Sequence, residues 1–121
     1  MKKFAIFSLS ILGTALLGWA TARAADDMAA LTTVKGEVID MVCYLDHGAT
    51  GAKHADCAKM CIDNGLPVGL KSEDGKVYLI VGEHKTLNKE LSQYAAKTIS
   101  VRGKLVSRDG IQMLENAEIV K

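Results

Sequence analysis

Residues 68–81 read VGLKSEDGKVYLIV. Two β-prone runs, 68–72 and 76–81, flank Glu73-Asp74-Gly75, and Asp-Gly between apolar runs is a strong hairpin signal. Just upstream, residues 54–64 carry Cys57, Ala58, Cys61 and Ile62 at helical spacing. Gly65 suits the left-handed residue that ends such a helix, and Pro67 stops its continuation. Downstream, Leu87, Leu91, Tyr94 and Ala95 mark one face of a helix over 87–96. Further out, 34–42 (VKGEVIDMV) is predicted as the first strand, with Val34, Val38 and Val42 as apolar anchors and a Gly-containing loop over 43–52 behind it. At the other end, 98–106 and 111–120 alternate as strands about Arg108-Asp109-Gly110, with Gly103 placed for a bend or bulge.

The order is therefore strand, inserted helix, hairpin, helix, hairpin. Five strands with a helix between the third and the fourth is the order of the OB-fold, a small Greek-key barrel. The expected class is mainly β (α+β): a five-stranded OB-fold-like barrel with a Cys-bearing helix inserted after strand 1. An α+β sandwich with an open antiparallel sheet is the alternative. No internal repeat and no low-complexity segment interrupts residues 34–121.

The chemistry is concentrated between Cys43 and Cys61. Cys57 and Cys61 are four residues apart and His54 is three before Cys57, so all three side chains share one helical face. Cys43 is expected at the end of strand one, where it meets that face if the helix packs back over the barrel mouth. Three thiolates and an imidazole suit zinc in tetrahedral geometry, and thiolates suit cuprous copper as well. His47, four after Cys43, is a second candidate for the nitrogen ligand. Met41 and Met60 offer further soft sulfur, and Asp46 or Asp56 could orient a ligating imidazole. The candidate metal set is Cys43, His54, Cys57, Cys61 and His47, with zinc or copper as the ion.

A second reading stands beside this one. An exported domain this small gains stability from a disulfide, and Cys43 could bond Cys57 or Cys61. Three cysteines cannot all pair within one molecule, so the third would be buried or pair with another chain. A disulfide-stabilised binding module without metal, thiol redox chemistry and haem contact are thus the alternatives. Other motifs fail: there is no C-x-x-C-H, no C-x-x-C pair, no phosphate loop at Gly48–Lys53 and no nucleophile elbow. Glu37 and Asp40 on the first strand are expected to face solvent rather than to act as a catalytic pair. A binding protein is favoured over an enzyme.

The motifs Gly36-x-Val38-x-Asp40-x-x-Cys43-Tyr44, His54-x-x-Cys57-Ala58-x-x-Cys61 and Gly65-x-Pro67-x-Gly69-Leu70 resemble the pattern of a group of small exported bacterial proteins of unknown function. The similarity covers the first half of the mature chain, and the second half resembles the hairpin ending of periplasmic OB-fold proteins. It implies a fold and a site, but no reaction.

The amino terminus points to export. Lys2 and Lys3 precede an uncharged run over 4–20, and Ala22-Arg23-Ala24 follows, so residues 1–24 read as a signal peptide cut after Ala24. The run is short for a retained anchor, and with Cys43 as the first cysteine there is no lipidation site at the cut. Residues 25–33 are expected to be a tether and 34–121 a single domain. Removing Lys2, Lys3 and Arg23 from the 15 basic residues leaves 12 against 14 acidic ones. That balance, with few aromatics, gives no basis for nucleic-acid binding or for an anionic membrane surface. The expected setting is periplasmic or secreted, with a metal ion or small ligand, and another periplasmic protein, as partners.

Overall fold

The first strand closes the molecule on itself, and a glycine makes that possible. The computed structural model describes residues 31–121; the expected signal peptide, and the expected tether up to residue 30, lie outside the described residues. β1 (Leu31–Asp40) pairs antiparallel with β4 (Thr98–Arg108) along 31–37, and with β2 (Val68–Ser72) along 36–40. Gly36 stands in both ladders, opposite Ser72 and Ile99. A Cβ there would lie 2.5 Å from the Lys71 carbonyl oxygen, so no side chain fits where the strand passes from one neighbour to the other.

β2 continues into β3 (Val77–Ile80) through the expected Asp-Gly turn, and β4 into β5 (Ile111–Val120). β3 then pairs parallel with β5 at Leu79↔Met113 and Ile80↔Leu114. The order β1-β2-β3-β5-β4 is a closed barrel, the OB-fold-like architecture, and closure excludes the open sandwich. The β4–β5 register shifts between Arg102 and Lys104, so Gly103 is the irregularity its sequence position suggested. β1 starts at Leu31 rather than residue 34, and the last three residues of the expected tether are paired with β4.

Three short helices complete the fold: α1 (Met41–His47), α2 (Ala55–Asp63) and α3 (Asn88–Leu91). α1 corrects the sequence reading. Met41 and Val42 are not strand, and residues 43–47 are not loop. The amphipathic segment 87–96 also breaks up, into α3 and a 3-10 turn at Ser92–Tyr94. Its apolar face survives, because Leu87, Leu91 and Ala95 are buried.

α2 plugs one end of the barrel. Ala58 and Ile62, one turn apart, join Val34, Val38, Val68, Leu70, Tyr78, Ile80, Val101 and Leu114 in a single core. The carboxyl end of α2 is clamped from α3: Asn88 Nδ2 donates to the carbonyls of Ile62 (2.8 Å) and Leu66 (2.7 Å). Burying Ile62 on one face of α2 leaves Cys57 and Cys61 on a neighbouring, half-exposed face.

Gly36→Ala is expected to lower the unfolding free energy by about 1–3 kcal/mol, the usual range for forcing atoms into a packed site, as read from urea denaturation. Asn88→Ala removes both bonds; the Ile62 carbonyl keeps the Gly65 amide at 2.9 Å, and the loss of the donor to Leu66 is expected to cost roughly 1–2 kcal/mol in the same assay.

Candidate metal centre

Asp40, the last residue of β1, builds the site. Its side chain is only 2% exposed. Its carboxylate accepts hydrogen bonds from the amides of Val42 (3.1 Å) and Cys43 (3.0 Å), which makes it the N-cap of α1. The expectation that Asp40 faces solvent is therefore wrong: at the strand end its carboxylate is consumed by the first turn of a helix. The Met41 amide bonds the Pro67 carbonyl at 3.0 Å, which ties the start of α1 to the chain entering β2. Cys43 thus projects from the first turn of a helix rather than from a strand end.

The connection to α2 is short and held. α1 ends at Gly48, whose amide bonds the Tyr44 carbonyl at 2.8 Å. Gly51 takes a left-handed φ of 78° and donates its amide to the Glu37 carboxylate. Glu37, also expected to face solvent, is half-buried and acts as an anchor for this loop. A 3-10 turn at Ala52–His54 leads directly into α2.

These restraints bring the candidate ligands together in two groups. The ligand atoms of Cys43, Cys57 and Cys61 lie within 4.8 Å of one another, and so do those of Cys43, His47 and His54. All five residues named from the sequence are present, and Cys43 belongs to both groups. His54, expected on one helical face with Cys57 and Cys61, instead ends the 3-10 turn before α2 and groups with Cys43 and His47, because the helix begins only at Ala55. The three cysteines are free thiols. A tetrahedral ion with sulfur bonds of about 2.3 Å holds its sulfurs roughly 3.8 Å apart, so closing the thiol group needs shifts of about 1 Å or less.

The histidines differ. His47 is exposed at the end of α1, and its Nδ1 lies 3.2 Å from the Asp46 carboxylate. Asp46 is thus placed to orient the ring, as expected. His54 is half-buried, and its Nε2 is buried with no hydrogen-bond partner. Leaving such an atom unsatisfied costs about 1–3 kcal/mol, so an acceptor or an ion beside it would be stabilising. The two rings meet edge to face, with centroids 5.7 Å apart. Asp56 and Met60 are exposed on α2, and Met41 packs its sulfur against Gly69.

Asp40 also bears on the thiols of Cys43 and Cys61. Burial alone would raise its own pKa. Hydrogen bonds from the Cys43 thiol, the Cys43 and Val42 amides and the Cys61 thiol outweigh burial and hold it below the usual carboxylate value. The Cys43 thiol is pushed up to about 12, first by its hydrogen bond to Asp40, then by burial and by the Asp40 charge. Burial, followed by the Asp40 charge, raises Cys61 too. Asp40 was missed as a site residue, although an N-capping Asp eight residues before Gly48 was the available signal. Compared with protein families, curated proteins and solved structures, the chain matches none of them.

Asp40→Asn keeps a competent cap but removes the charge. In the metal-free protein, Cys43 is expected to alkylate at pH 8 far more slowly than a free thiol, and Asp40→Asn is expected to speed it; mass-mapped iodoacetamide labelling reads both. A folded pKa raised to about 12 stabilises the protein below the ordinary thiol value of 9.0. That contribution is lost as pH rises through the folded value. Native Asp40 should therefore show a loss of stability on the alkaline side that Asp40→Asn reduces, measured by denaturation midpoints from pH 8 to 11.

Proposed function

We propose that this domain is an exported soft-metal-binding protein, holding zinc or copper through Cys43, Cys57 and Cys61 with His54 or His47 completing the coordination. One observation carries the reading: three free thiols converge from two helices onto one small volume, within 4.8 Å. The unpartnered Nε2 of His54 supports it, because His54 groups with the Cys43 sulfur and a buried imidazole nitrogen without a partner is open to coordinate an ion. Export rests on the signal-like segment at 1–24. In an oxidising compartment close thiols pair, and a bound ion would keep all three sulfurs in one coordination shell. The partners on this reading are the ion itself and another exported protein that supplies or takes it.

Binding must displace thiol protons, above all from Cys43, so affinity rises with pH and uptake releases protons. Protein recovered from the export compartment under reducing, chelator-free conditions is expected to carry about one equivalent or more of zinc or copper by elemental analysis. Cys57→Ser/Cys61→Ser is expected to remove most of it. Less than about half an equivalent in the native protein would overturn the proposal.

A further inference from the structure

Cys43 is the only residue common to the two ligand groups. One group is all sulfur: Cys43 with Cys57 and Cys61 from α2. The other is one sulfur and two nitrogens: Cys43 with His47, one turn on along α1, and His54 at the entry to α2. From this we infer that the site holds two metal ions bridged by the Cys43 sulfur, and that the pair is copper(I). The inference rests on the metal-binding reading above and specifies its stoichiometry and ion.

The chemistry of the donors carries it. A thiolate sulfur has several lone pairs and can bind two soft cations at once, whereas each imidazole can bind one here. Five donors with one shared sulfur divide into two sets of three. Copper(I), a closed-shell soft ion, accepts three-coordinate sites, while zinc in closed sites takes four ligands. A single tetrahedral ion would use the three sulfurs and one imidazole and leave the other histidine without a role. Two ions use every donor, including the His54 ring whose nitrogen lacks a partner.

Charge separates one copper(I) from two. Three thiolates and the buried Asp40 carboxylate bring four negative charges to one half-buried cluster. A single copper(I) offsets one of these and a bridged pair offsets two, as much as one zinc would, so the pair carries no charge penalty against zinc. His47 is exposed at the end of α1, so the nitrogen-bearing position opens to solvent.

The test is an anaerobic titration of the reduced protein with copper(I) supplied as its acetonitrile complex, read by native mass spectrometry and X-ray absorption. Two copper ions per chain and a copper–copper scattering path are expected. His47→Ala, an exposed substitution that leaves the core untouched, and His47→Ala/His54→Ala are both expected to stop at one ion and lose that path. Cys43→Ser is expected to abolish the copper–copper path even if one ion is kept. Saturation at one ion in the native chain, or two ions without a copper–copper path, would overturn the bridged pair and leave the metal-binding reading standing. Failure to bind copper(I) or zinc at all would overturn both.

Discussion

The site depends on one buried carboxylate. Asp40 ends β1, and its side chain gives the next residues their helical start by accepting from the Val42 and Cys43 amides. The same oxygens face the thiols of Cys43 and Cys61. A carboxylate that is 2% exposed is expensive to bury unless it is fully hydrogen-bonded, and here backbone amides and thiols supply the donors. Strand end, helix start and sulfur protonation are therefore one coupled feature.

That coupling explains why the candidate ligand face sits where it does. β1 spans the seam between β2 and β4, so its far end is held from both sides. α2 is positioned independently, by Ala58 and Ile62 in the core and by Asn88 on its terminal carbonyls. Two rigidly mounted helices then present sulfur to sulfur across a short loop, itself held by Glu37. Ligands mounted on rigid elements need little rearrangement to close on an ion, and such preorganisation favours binding. Asp40 favours the neutral thiols of Cys43 and Cys61, so these two sulfurs do not face it as thiolates.

Much of the fold was legible. The two Asp-Gly hairpins, the Gly103 irregularity and the plug helix with its Cys57–Cys61 face all follow from local spacing, since turn chemistry and periodicity are read over a few residues. The segment 34–42 was misread at its end, because Val38, Ile39 and Val42 carry a β-prone pattern past Asp40 and mask its capping signal, and burial of that carboxylate is not a local property. The helix over 87–96 was overextended for a related reason: its apolar spacing is satisfied by a broken turn that drops Leu87, Leu91 and Ala95 onto the core. Glu37 and Asp40 looked like solvent-facing charges because their partners, the Gly51 amide and the thiols, are supplied by other elements.

By itself, the sequence determined the order of elements along the chain, the helical face that carries Cys57 and Cys61, and the identity of the candidate ligands. These are properties of period and residue type, written within single segments. Only the tertiary structure decided that Cys43 projects from a helix, that Asp40 lies buried against its thiol, and that the ligands form two groups sharing one sulfur. Those facts depend on where barrel closure puts the end of β1 relative to α2. That is a distance between segments, which no local pattern encodes.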